Sequence, residues 1–308
     1  SENTQALDEV VVVGYGTQRK SDLTGSITTV KGSDIKNVPA TTIAEALQGQ
    51  VAGALIQQES GAPNSSQSFI IRGLGSINSI SPLYVVDGVV RTTGNYYNMK
   101  DVESIEVIKD ASAAAIYGSR AAGGVILITT KSGSNNQKPV VSFSARVGVD
   151  KPIQDYHLLE TMDYYTVRHG CYGDAWPFGD PSTLPNTNWF NEGYDNGLEQ
   201  SYDLSLTGGS EKIKYYLSGN YEYKDGIQLK DYWNRMGARL NVEYKLAKNL
   251  AIGTHSYLTR VRYDPTTAGD LWRTVPYMNV KNAYGSYASI PAGCELSGAG
   301  NPIGAEYA

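Results

Sequence analysis

Arg235-Met-Gly-Ala-Arg-Leu-Asn-Val-Glu-Tyr-Lys-Leu246 is the stretch on which the fold turns. Met236, Ala238, Leu240, Val242, Tyr244 and Leu246 share one parity, and Arg235, Arg239, Asn241, Glu243 and Lys245 share the other. Successive side chains of a strand point to opposite faces, so this strand has one apolar and one polar face. Its length meets the ~9–11 residues that a tilted strand needs to cross a bilayer.

The same dyad repeats over 139–263. Val141, Phe143, Ala145, Val147 and Val149 alternate with Ser142, Ser144, Arg146 and Gly148. Tyr202, Leu204 and Leu206 alternate with Ser201, Asp203 and Ser205. Ile213, Tyr215, Leu217, Tyr221 and Tyr223 alternate with Lys212, Lys214, Ser218, Asn220 and Glu222. Leu250–Arg262 reads as a fifth strand whose facing Thr254, His255 and Ser256 leave open. Gly208–Glu211 and Leu246–Asn249 read as tight turns, whereas Asp150–Glu199, Lys224–Trp233 and the chain from Asp264 are long. Short turns alternating with long loops are the habit of outer-membrane barrels. A soluble β-sandwich alternates too, but aromatics at strand ends (Tyr202, Tyr223, Tyr244, Tyr263) fit interfacial girdles better.

Composition divides the chain. Residues 1–135 hold five of the 23 tyrosines, and all four tryptophans come later. The change falls at the polar stretch Lys131–Lys138, which reads as a linker. The net charge of −5 and the lack of a basic block give no reason to expect nucleic acid. No apolar run approaches the ~20 residues of a transmembrane helix. Ser1–Gln5 has no signal-peptide pattern, as expected if a leader has been removed. Cys171 and Cys294 lack metal-ligand spacing; a disulfide and two free thiols both remain open.

In the first half, Val10-Val-Val-Val13 favours an extended strand. On the residues alone it is either a strand of the domain's own sheet or a peptide offered to another protein's sheet edge. Gly25–Val30, Ala54–Gln57, Ser68–Arg72, Leu83–Val86, Ser104–Ile108 and Gly123–Thr130 read as strands. Thr42-Ile-Ala-Glu45 has capping-box spacing and opens a helix. Asp110 can cap a second helix, Ala111–Tyr117, closed by Gly118. The sum is a small mixed α/β domain.

Ile71-Arg-Gly73, Pro82-Leu-Tyr-Val-Val-Asp-Gly88, Ile105-Glu-Val-Ile-Lys-Asp-Ala111 and Tyr117-Gly118 followed by Gly123-Gly-Val-Ile-Leu-Ile-Thr-Thr-Lys131 resemble, in order, the signatures of TonB-dependent receptor plugs. Asp8–Gln18 resembles the TonB box of the SusC/RagA type, and Leu47–Gly53 points to the same branch. The resemblance implies an α+β plug domain inside a transmembrane antiparallel β-barrel of about 22 strands when complete. Only the first five or so strands are expected here. The domains are then 1–20, TonB-box segment and linker; 21–135, plug; and 136–308, the start of the barrel with long extracellular loops.

The resemblance also implies a function: active import of oligosaccharides or peptides across the Gram-negative outer membrane. The implied partners are TonB, energised by ExbB–ExbD, a SusD-like surface lipoprotein as lid, and membrane lipid. Asp8, Glu9, Val10, Val11, Val12 and Val13 would bind TonB. Arg72 and Arg120 would pair with barrel-wall carboxylates and hold the plug. Asn95, Tyr96 and Tyr97 are the candidate substrate-facing residues. A β-rich cell-surface carbohydrate-binding module is the rival reading, and a passive porin is disfavoured by the TonB-box-like peptide.

Enzyme chemistry finds no support. His157, His169 and His255 stand apart from one another and from any nucleophile. Gly73-Leu-Gly75 is neither a dinucleotide nor a Walker loop, and Glu160, Asp174 and Asp180 do not form a calcium loop. No cofactor or metal is expected. The aromatics of Asp150–Glu199, such as Tyr164 and Trp189, either grip a sugar or pack against one another to order the loop.

Overall fold

The computed structural model describes residues 10–13, 16–19, 27–36, 38, 40–58, 60–63, 65, 67–71, 81–91, 93, 97–110, 114–153, 157–173, 179–264, 275–281 and 284. The chain divides into two compact units. One comprises Ser1–Arg146, Ser201–Glu222 and Asn234–Arg262; the other comprises Val147–Gln200, Tyr223–Trp233 and Tyr263–Ala308.

In the first unit, β1 (Val10–Val13) pairs antiparallel with β2 (Gly16–Arg19), Val10 opposite Arg19, in a two-stranded sheet of their own. Next come β3 (Ile27–Lys31), the short helices α1 (Gly32–Ile35) and α2 (Ile43–Leu47), and the hairpin of β4 (Ala54–Gln58) with β5 (Gln67–Ile71). The expected capping box is present on α2. Thr42 accepts from the Glu45 amide, and the Glu45 carboxylate accepts from the Thr42 amide.

β6 (Leu83–Val86), β7 (Val89–Arg91), β8 (Val102–Ile108) and β9 (Val125–Thr130) join β3 in a mixed sheet ordered β3-β8-β9-β6-β7. β9 runs parallel to β6 and antiparallel to β8. It is central, and both of its faces are covered. Ile126 and Ile128 enter one core with Ile35, Ile43, Leu47 and Ile105, while Val125 and Leu127 enter another with Val85, Ile108 and Ala114. A strand buried on both faces reads as a continuous apolar run rather than an alternation, as Val125–Ile128 does. Gly124 precedes it at φ +93, and a Cβ there would lie 2.7 Å from Ile71 Cδ1. Of the second expected helix, Ala114 is helical and Ala115–Tyr117 is a 3₁₀ turn, with Gly118 beyond at φ +74.

The sheet β10 (Val140–Asp150), β11 (Gly197–Gly209), β12 (Ile213–Asp225), β13 (Tyr232–Ala247) and β14 (Leu250–Asp264) is ordered as in the chain, each strand beside its successor. The parity readings hold. Val141, Phe143, Leu204, Met236, Leu240 and Leu246 are exposed, while Ser201, Asp203, Asn220, Arg235, Arg239 and Asn241 are buried. β14, which the sequence left open, faces outward with Leu250, Ile252 and Leu258, and Tyr257 packs inward on the α/β core. Among the described residues, no helix is long and apolar enough to cross a membrane.

In the second unit, the helices α3 (Thr161–Tyr172) and α4 (Trp189–Gly193) lie within the first long loop. Trp189 is buried with Val275, Tyr277 and Met278, and its indole nitrogen donates to the Val275 carbonyl at 2.9 Å. Thr187 binds the Pro276 carbonyl and, through its hydroxyl, that of Met278. For Trp189 and Tyr164 the aromatics therefore pack among themselves, Tyr164 lying 5.7 Å from Tyr277. Cys171 is an exposed free thiol, and Cys294 lies outside the described residues.

Candidate functional site

β13 is the strand that fastens the α/β domain. Its alternation aims Arg235, Arg239 and Asn241 inward, and the residues that receive them come from three places in the domain.

Asp87 is the first. Asp87 (φ 47) and Gly88 (φ 81) form the two-residue hairpin turn between β6 and β7, Val86 opposite Val89. A tight hairpin of that kind needs φ > 0 at both positions, which favours Asp-Gly. The turn leaves the Asp87 carboxylate against the end of β9, where it accepts from the Thr130 amide at 2.9 Å and hydroxyl at 2.7 Å. Thr130 Oγ1 in turn accepts from Arg239 Nη1 at 3.2 Å and Asn241 Nδ2 at 3.0 Å. One donor and two lone pairs are all a hydroxyl has, so Thr130 is saturated. Arg239 Nη1 and His255 Nδ1 each lie 3.6 Å from Asp87 Oδ2.

Asp101 is the second. It sits in a 3₁₀ turn, Met99–Asp101, whose first turn is capped by the Asn98 side chain. Its carboxylate receives Tyr216 Oη of β12 at 2.9 Å and Arg239 Nε at 3.3 Å, all three groups buried. Three residues back, Asn98 Nδ2 donates to Asp203 of β11 at 2.6 Å. Lys100 pairs with the same carboxylate and reaches Ser144 of β10 at 2.8 Å.

The third place is backbone. Arg235, fully buried, donates to the Tyr97 carbonyl at 2.9 Å and is neutralised by Glu222 of β12 at 2.7 Å. The Tyr97 ring stacks on Tyr257 at 5.2 Å, and the Arg239 guanidinium lies 4.7 Å from the Tyr257 centroid. Flat, weakly hydrated guanidinium groups suit such stacked and buried sites better than ammonium groups.

The predicted site residues fall differently. Asp8, Glu9, Arg72, Asn95 and Tyr96 lie outside the described residues. Val10–Val13 form β1, apart from the main sheet. The Arg120 side chain is exposed in a 3₁₀ turn. Tyr97, expected to face substrate, is 8% exposed and lies under the two wall arginines. On β13 a wall cation, Arg239, meets the domain carboxylates Asp87 and Asp101, whereas Lys100 of the domain meets Asp203 of the wall, which is the expected sense. Sequence reasoning placed Arg235, Arg239 and Asn241 on the inward face without assigning them partners, and passed over Tyr216 and Asp101. The usable signal was two arginines at i and i+4 on the enclosed face of a membrane strand, where unpaired charge is not tolerated.

A mixed-sheet domain held by buried ion pairs against the polar face of an up-and-down strand wall is the plug-and-barrel arrangement. Residues 19–125 match the family described as the TonB-dependent Receptor Plug Domain. TonB-dependent receptor P26 of Formosa agariphila is 39% identical over 299 residues, 93% of this chain and 30% of that protein. TonB-dependent receptor SusC of Bacteroides thetaiotaomicron is 35% identical over 251 residues, 78% of this chain and 25% of that one. The RagAB peptide importer in its open-open state superposes with a TM-score of 0.81 at 26% identity, over 97% of this chain and 38% of that chain. The chain belongs to the TonB-dependent receptors of the SusC and RagA kind, carrying a plug and part of a barrel wall. It spans less than a third of the length of the two curated receptors.

Proposed function

We propose that this chain serves TonB-dependent import across the outer membrane, with oligosaccharides or peptides as cargo. The observation that carries the reading is the contrast between the two ends of the plug. Its 97–101 and 130–131 region is bound to the wall by buried charges, while β1 and β2 form a hairpin outside the main sheet. Such a hairpin is a handle: Asp8–Val13 would be taken up by TonB through strand addition, with ExbB–ExbD supplying the energy. RagAB is a peptide importer, which supports peptide as one cargo class. A SusD-like lipoprotein would close over the long loops.

Arg72 and Arg120 would serve wall strands other than β13, and Asn95 and Tyr96 would face the cargo, with Tyr97 anchoring that segment rather than touching substrate. Deleting residues 8–13 from the full-length receptor tests the reading. Uptake should be lost while surface expression and ligand binding persist; normal uptake by the deletion strain would remove the energy-coupling role. Purification in mild detergent should bring down a stoichiometric lipoprotein, and recovery of the receptor alone, still importing at the normal rate, would remove that partner.

A further inference from the structure

The tight turns of the barrel sheet bring lysines together. The Lys245 amide donates to the Lys212 carbonyl at 2.7 Å, so the two residues stand opposite each other at the end of the β12–β13 pair. Both have the inward parity of their strands, that of Asn220 on β12 and of Arg239 and Asn241 on β13. Like charges directly opposite destabilise a sheet. The next inward rung carries opposite charges instead, and Lys214 and Glu243 pair there at 3.1 Å. The Lys212–Lys245 rung lacks that compensation. Among the described residues neither lysine makes an ion pair, and Lys248, in the turn from β13 to β14, makes none either.

The three lysines line one notch of about 230 Å³. Lys214 lines it as well, and four lysines against Glu211 and Glu243 leave it positive. Asn135 and Asn249 add amides, and no aromatic ring is among its lining residues. The notch is smaller than the ~300–1,000 Å³ of sites that enclose whole small molecules, so it takes the end of a chain. Without an aromatic platform it offers a sugar face nothing to stack on. Ammonium groups and amides suit a peptide end with its free carboxylate.

Position narrows the source. The short turns of an outer-membrane barrel face the periplasm, and inward parity keeps Lys212 and Lys245 away from lipid headgroups. The periplasmic polymer that presents free peptide carboxylates in many copies is the cell wall. We propose that this notch docks a stem-peptide carboxylate of peptidoglycan, held between Lys212 and Lys245 with Lys248 beside it. The inference rests on reading the chain as an outer-membrane barrel. Each such contact is weak and screened by salt, but a polymer with many stems meets many receptors, and avidity rises without any new contact.

The test is co-sedimentation of the full-length receptor, in mild detergent, with purified peptidoglycan sacculi. Wild type should pellet with native sacculi and stay in solution with sacculi whose carboxylates have been amidated. K245E gives the rung the opposite charges of its Lys214–Glu243 neighbour, so the sheet should be kept. The sacculus concentration for half-binding should nevertheless rise about tenfold, as for the loss of one charge-assisted contact, and K212Q/K248Q should behave alike. Soluble stem tripeptide should release wild type, and poly-glutamate at the same carboxylate concentration should not. The amidation comparison uses wild type alone and decides the matter even if a variant does not assemble. No pelleting, equal pelleting with amidated sacculi, unchanged binding by K245E, or equal release by poly-glutamate would each overturn the proposal. A receptor that imports its cargo but ignores sacculi defeats only this inference, whereas recovery in the soluble fraction defeats the transport reading itself.

Discussion

Arg239 of the wall and Asp101 of the plug meet at 3.3 Å with each side chain about 2% exposed. A pair so enclosed is costly to split, because the survivor keeps its charge without water. Arg239 also touches Asp87, Thr130 and the Tyr257 face, so it joins two separate motifs of the plug to one strand.

Arg239→Ala should therefore weaken plug docking by roughly 3–5 kcal/mol, the usual loss when one partner of a buried pair is removed. Arg239→Met with Asp101→Leu should cost less than either single change, since no charge is stranded. Protease accessibility of the plug in the assembled receptor reads both. A double variant as loose as the sum of the singles would show that the two side chains act independently.

Leu240 and Asn241 are neighbours that should fail in different ways. Leu240→Arg places a charge on the lipid face and should cost roughly 2–4 kcal/mol near the midplane, seen as loss of the heat-modifiable folded form. Asn241 is 2% exposed and donates to Thr130 and to the Lys131 carbonyl at 2.8 Å. The inward face alone suggests Asn241→Arg is tolerated; those contacts instead predict a folded barrel with a displaced plug. Identical phenotypes would mean the facing is misassigned.

Burial holds the Tyr84 phenol in its neutral form, with its pKa raised to about 12. The folded plug keeps this proton more tightly than the unfolded chain, whose tyrosines titrate near ~10. The stabilisation is complete below pH 10 and is lost as pH rises from 10 to about 12, by up to ~1.4 kcal/mol per unit. Denaturant midpoints of the plug should fall through that window, and Tyr84→Phe should flatten the fall.

Trp189→Ala removes a side chain that is 1% exposed, together with its bond to Val275. A loss of roughly 3–5 kcal/mol is expected for a buried tryptophan. It should be local, releasing the 275–278 segment from α4. Limited proteolysis should cut within 157–193 in the variant and spare the wild type.

The wall strands, the facing of β10–β13 and the capping box on α2 were legible because each depends on near neighbours: side-chain parity along a strand, or a Thr and a Glu three residues apart. The facing of β14 was not, since Thr254, His255 and Ser256 suit either side, and only the packing of Tyr257 against the plug core settles it. The shared packing of Trp189 with Val275–Met278 joins segments 86 residues apart, beyond any local signal.

The wall contacts divide in the same way. By itself the sequence determined that Arg235, Arg239 and Asn241 lie on one face of a strand, because the backbone alternates with period two whatever surrounds it. The turn at Asp87 is likewise a local matter, because Asp-Gly meets its demand for positive φ. Only the tertiary structure decided that these two sets meet, since a charge buried between distant segments takes whichever counter-charge the packing brings within reach. For Arg239 those are Asp101 and Asp87.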